Sequence, residues 1–86
     1  METPKKIKYL EMIETYASIT KAAKALFIAQ PYLSKLIKQL EMELEIDLYK
    51  TQSHKTQLTY AGKRYLYYLK QMDSLERQMK KRITVN

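Results

Sequence analysis

Ser18-Ile19-Thr20-Lys21-Ala22-Ala23-Lys24-Ala25-Leu26, followed after a short connection by Gln30-Pro31-Tyr32-Leu33-Ser34-Lys35-Leu36-Ile37-Lys38-Gln39-Leu40, decides the fold. In the first run, Ala22, Ala23, Leu26 and Phe27 recur at helical spacing. Ser18 suits the N-cap, where its hydroxyl accepts from a first-turn N–H. So short a helix needs a neighbour, and its alanines let one approach closely. The second run places Leu33, Leu36, Ile37, Leu40 and Leu44 on one stripe and predicts a helix over Gln30 to Leu44. Pro31 fits its first turn, where a missing N–H costs nothing. Gln30, Tyr32, Ser34, Lys35 and Lys38 then face outward from its N-terminal half, as in a recognition helix.

Upstream, Ile7, Tyr9, Leu10, Ile13 and Tyr16 predict an amphipathic helix from Lys5 to Tyr16, with Pro4 at its start. Downstream the period changes. Leu48-Tyr49-Lys50 and Thr56-Gln57-Leu58-Thr59 read as two short strands around a loop from Thr51 to Lys55, a small β-wing. Thr59 caps a last helix running to about Arg82. Along it Ala61, Tyr65, Tyr68, Met72, Leu75 and Met79 alternate steps of four and three, which is the repeat of a helix-pairing seam. Leu66 and Leu69 form a second stripe confined to the first half, so that half packs on the domain. At 1.5 Å per residue the helix is roughly 35 Å long, more than one small domain covers. Its seam either packs internally or meets a partner helix.

The chain has 86 residues, enough for one small core, and its single Gly and two Pro favour helices over tight turns. It has no Cys and only His54, so neither a disulfide framework nor a metal site is expected, and no cofactor. There is no nucleophile–base pair and no glycine-rich phosphate loop, which argues against an enzyme. No long apolar run follows the early lysines, and a soluble cytoplasmic protein without membrane contact is expected. The net charge is +7. The stretch between Thr15 and Leu40 lacks acids but carries Lys21, Lys24, Lys35 and Lys38. From Leu48 to Met72 the only charges other than His54 are Lys50, Lys55, Lys63, Arg64 and Lys70. Glu41, Glu43, Glu45 and Asp47 cluster between the two zones. Charge alone leaves open a nucleic-acid surface or a solvated helix face.

The run from Ser18 to Leu26, then Ala29-Gln30-Pro31-Tyr32-Leu33-Ser34-Lys35-Leu36-Ile37-Lys38-Gln39-Leu40-Glu41, then Leu48-Tyr49 and Leu58-Thr59-Tyr60-Ala61-Gly62, resembles the N-terminal domain of LysR-type transcriptional regulators in order and spacing. The resemblance implies a mainly α fold: a winged helix-turn-helix of three helices with a small two-stranded β-wing over residues 1–59, and a long C-terminal linker and dimerisation helix over residues 60–86. It also implies a cytoplasmic bacterial homodimer on a partly palindromic operator, whose effector-binding domain is absent from this chain. The sequence leaves open whether the chain is a fragment or a naturally short protein. Carried over by position, the family's major-groove readers fall on Gln30, Pro31, Tyr32, Ser34, Lys35 and Lys38, and its backbone contacts on Ser18, Thr20 and Lys21. His54 and Lys55 fall at the wing tip. The implied dimer interface is Tyr65, Tyr68, Met72, Leu75 and Met79. The chain departs from the family's pattern at Lys35, often Arg, at Thr51, often Arg, at Ala29, often a capping Ser, and at Glu45, commonly Gly.

Sequence-specific binding of double-stranded DNA by a homodimer accounts for the basic zones, the wing and the seam together. A protein-interaction or dimerisation module without its own DNA target is the alternative, and the acid-free zones argue against it as the sole role.

Overall fold

The computed structural model describes residues 1–84. The expected linker segment 60–86 runs two residues further, and Val85 and Asn86 lie outside the described residues. The elements follow one another as α1 (Thr3–Tyr16), α2 (Ile19–Ala25), α3 (Gln30–Leu44), β1 (Tyr49–Gln52), β2 (Lys55–Leu58) and α4 (Tyr60–Thr84). This is a winged helix-turn-helix carried on a long last helix.

Each helix contributes an apolar stripe to one core. Tyr9, Leu10 and Ile13 come from α1, Ala22 and Ala23 from α2, and Leu33, Ile37 and Leu40 from α3. Leu48 and Leu58 close the base of the wing, and Leu66 and Leu69 enter from the first half of α4. Full burial of such a leucine contributes about 1.5–3 kcal/mol, so this set supplies most of the stabilisation of so small a fold. Tyr16 and Leu44, read from sequence as apolar-stripe residues, stand at its margin, 44% and 37% exposed.

Three polar ties fix how the elements meet. The Ser18 hydroxyl accepts from the Lys21 N–H at 3.1 Å and caps α2. The Thr59 hydroxyl accepts from the Gly62 N–H at 2.9 Å and donates to the Asp47 carbonyl at 2.6 Å, so one side chain both caps α4 and holds the end of the α3–β1 connection. The Thr56 N–H donates to the Ala17 carbonyl at 2.9 Å, which pins the wing to the α1–α2 connection.

The wing differs from the sequence reading. The strands pair as Tyr49↔Leu58, Lys50↔Gln57, Thr51↔Thr56 and Gln52↔Lys55, leaving only Ser53 and His54 in the loop. Both have positive φ, 50° and 64°, as a two-residue turn of the type I′ kind requires. The alternation on β2 explains the longer ladder. Thr56 and Leu58 point inward, and the Thr56 hydroxyl lies 3.0 Å from that of Thr51 across the strands. Thr51, Gln52 and Lys55, expected in a loop, are therefore strand residues, whereas Leu48 and Thr59, expected in the strands, flank them.

Gly62 sits where α4 crosses the wing base. A Cβ there would lie 2.1 Å from the Leu48 carbonyl oxygen, which is already held by the Thr59 N–H at 3.0 Å. Only Gly allows that approach. Beyond Leu69, α4 leaves the core, and the molecule measures 54 × 26 × 20 Å.

Candidate nucleic-acid interface

The outward face of α3 is built by its own periodicity. With Leu33 and Ile37 fully buried, Gln30, Pro31, Tyr32, Lys35 and Lys38 are exposed, and Ser34 lies half-buried between the two faces. The Gln30 side-chain amide donates to the Ser34 hydroxyl at 2.6 Å, one turn along the helix. That bond ties down one N–H of the amide and leaves its carbonyl and second N–H without a partner among the described residues, the pair of groups adenine recognition uses. Tyr32, 48% exposed, supplies an apolar ring on the same N-terminal turn of α3. Ala29 gives α3 no side-chain cap, but Pro31 has no N–H and the Tyr32 and Leu33 N–H groups both donate to the Ala29 carbonyl at 3.1 Å, which leaves only the Gln30 N–H of this turn to an outside acceptor.

From α2, Thr20 and Lys21 are exposed, and Ser18 is half-buried because its hydroxyl is spent on the cap. His54 stands in the hairpin turn and Lys55 opens β2, both exposed at the wing tip. Among the described residues, Lys21, Lys24, Lys35, Lys38, Lys50 and Lys55 are exposed and none is in an ion pair. The ion pairs found join Lys70 to Glu11, Arg77 to Asp73 and Lys80 to Glu76. Glu41 is turned inward instead, accepting from the Leu48 N–H at 2.8 Å. Glu45 lies roughly 22 Å along α3 from Gln30, more than two Debye lengths at physiological salt, so it does little to neutralise the N-terminal face. Lys38 borders a groove with Glu41, Glu45 and Asp47 and marks where basic surface gives way to acidic.

On α4, the expected interface residues divide. Tyr65 packs half-buried against the core of its own chain, whereas Tyr68, Met72, Leu75 and Met79 are 50–67% exposed. Arg64 donates to the hydroxyls of Tyr60 and Tyr68 at 3.3 and 3.1 Å, with its guanidinium 5.8 and 5.6 Å from the two ring centres. These contacts, the bond to Tyr60 foremost, push its pKa up. The sequence reading did not find this clamp, although the i, i+4, i+8 spacing of Tyr60, Arg64 and Tyr68 was its signal. It also counted Phe27 among the helical apolar positions. The ring is 95% exposed, in the turn between α2 and α3.

A helix-turn-helix with an outward polar recognition helix, a basic hairpin beside it and unpaired lysines around both defines a winged helix-turn-helix DNA-binding domain. Residues 4–63 match the family model described as bacterial regulatory helix-turn-helix protein, lysR family. The chain belongs to that family, and it is a LysR-type DNA-binding domain.

Among named relatives, it is 44% identical over 66 residues to a probable RuBisCO transcriptional regulator of Trieres chinensis, covering 77% of this chain and 21% of the relative. It is 38% identical over 65 residues to the HTH-type transcriptional regulator CitR of Bacillus subtilis, covering 74% and 22%. The chain thus spans about a fifth of the length of these relatives. Among solved structures it resembles BenM DBD in a complex with benA site 1 DNA, with TM-score 0.74, 36% identity and coverage of 100% and 99%. It also resembles CbnR DBD in a DNA complex, with TM-score 0.76, 26% identity and coverage of 95% and 93%. Among the described residues no helix is long and apolar enough to cross a membrane.

Proposed function

We propose that this chain is the operator-reading part of a transcription regulator that binds double-stranded DNA as a homodimer on a partly palindromic site. Residues 1–59 form the reading unit and residues 60–86 the linker that pairs two copies. The unit acts in the cytoplasm by binding alone, without catalysis. The observation that carries this reading is the exposed face of α3, where an oriented Gln30 amide stands with Tyr32, Lys35 and Lys38 and no carboxylate pairs with the lysines.

The roles divide by chemistry. Gln30 pairs with adenine, Tyr32 contacts a thymine methyl and Lys35 reaches guanine acceptors, while Pro31, Ser34 and Lys38 complete the groove face. Ser18, Thr20 and Lys21 hold the backbone beside α2, and Lys24 adds a phosphate contact. At the wing tip His54 and Lys55 meet the minor groove, where Lys55 holds a phosphate by charge. Lys35 lacks the rigid two-pronged donor set of Arg, so its base preference is looser. Pairing uses the seam of α4, where Tyr68, Met72, Leu75 and Met79 are exposed and Tyr65 supports them from the core side.

Selection of bound duplexes from random DNA with the purified chain, at two salt concentrations, tests the reading. Enrichment of a motif with two-fold symmetry is expected at both. Absence of any enriched sequence would overturn specific binding, and an enriched motif without symmetry would overturn the homodimer.

A further inference from the structure

Phe27 is held in a conformation and an environment that this chain alone does not repay. It closes α2 through a pair of backbone bonds, its own N–H to the Lys24 carbonyl at 3.1 Å and the Ile28 N–H to the Ala23 carbonyl at 3.0 Å. That closure puts Phe27 in the left-handed region, with φ of 58°. Gly, or failing it Asn, meets this requirement without strain, and a phenylalanine does not. The ring then recovers nothing by burial. At 95% exposed it is the most exposed of the large apolar side chains, and it stands apart from the partly buried residues that pack on the core. Ile28, the next residue, fills the core side of the turn instead.

Its place in the chain says what covers it. Phe27 lies between Lys24, exposed and outside any ion pair, and Gln30, the first residue of the recognition helix. It therefore stands in the turn that leads into α3, between exposed basic residues of α2 and α3, and adds a second exposed ring to that of Tyr32. A duplex entered by the N-terminal end of α3 offers such a ring deoxyribose faces and thymine methyl groups beside the phosphates that Lys24 attracts. We infer that Phe27 is a DNA-contacting residue, its ring packing on the apolar edge of the major groove next to the recognition helix. The inference rests on the proposed DNA-binding role of α3. Folding strain is retained here because the ring works only in the complex.

The consequence is a pair of effects of opposite sign. In Phe27→Asn the left-handed turn is relaxed, and the midpoint of thermal unfolding should rise by about 4 °C. The same variant should bind the selected duplex at least about fivefold more weakly, the scale of one lost base-edge contact. Phe27→Tyr, which keeps the ring and the strain, should retain both the affinity and the midpoint of the unaltered chain. Fluorescence anisotropy with a labelled duplex and a thermal melt read the two quantities independently. Equal affinity of the Asn and Phe forms overturns the inference while leaving the proposed function standing. Failure of the unaltered chain to bind any duplex overturns the function itself.

Discussion

Glu45 ends α3 in the left-handed region, with φ of 57°, its N–H donating to the Glu41 carbonyl. A side chain with a Cβ costs about 1–2 kcal/mol in that conformation, and a carboxylate beside the carbonyl end of a helix is repelled by the helix dipole. Glu45→Gly removes both effects and returns part of the gain as unfolded-state entropy. The expected net result is stabilisation of about 0.5–1 kcal/mol in urea unfolding, with the slope unchanged. Gly62 is the opposite case. In Gly62→Ala the new methyl meets the Leu48 carbonyl, which cannot retreat without losing its bond to the Thr59 N–H. The gain of about 1 kcal/mol in helix propensity is outweighed, and a net loss of at least about 1 kcal/mol is expected in the same measurement. Both positions were visible in sequence, because Glu45 replaces a usual Gly and Gly62 is the chain's only one. Phe27 was not, since nothing about a phenylalanine announces a positive φ.

Among the elements, α3 was readable to its ends because stripe, proline and outward polar face all agree on Gln30–Leu44. The wing was readable as a hairpin but not in register. Ser53 and His54 carry no Gly, Asn or Asp to mark a tight turn, and the ladder is set by inward Thr56 and Leu58 rather than by turn chemistry. The core half of α4 was legible through Leu66 and Leu69. The split within the seam was not, because Tyr65 belongs to both stripes until the domain is folded beneath it. What remains exposed on α4 fixes a prediction about pairing. Leu75 is 67% exposed and lies outside the buried core, so Leu75→Glu should leave the fold within about 0.5 kcal/mol of its stability. It should abolish the proposed dimer by placing a charge in the seam. Sedimentation equilibrium should then give a monomer, and an intact dimer would show that two copies meet elsewhere.

At the scale of the whole molecule, the charge pattern sets how binding responds to salt. The basic residues that frame α3 and the wing are exposed, and among the described residues none of them is in an ion pair. If about five phosphates are neutralised per domain, the logarithm of affinity should fall with the logarithm of salt at about −0.9 for each. Salt-independent binding contradicts the interface as drawn. Lysines within that surface should separate by role. Lys55, at the wing tip on the first residue of β2, stands apart from the recognition helix. Lys55→Ala should weaken binding to all sequences alike and reduce the salt slope by about one phosphate's worth. Lys35 is exposed on α3 one residue past Ser34 and is, with Gln30, one of the proposed base readers. Lys35→Ala should lower the preference for the selected site over random DNA by about 1–3 kcal/mol, with a smaller loss on random sequences. Competition titrations against random duplex separate the two effects, and matching selectivity profiles for the two variants would refute the division between base-reading and phosphate-holding lysines.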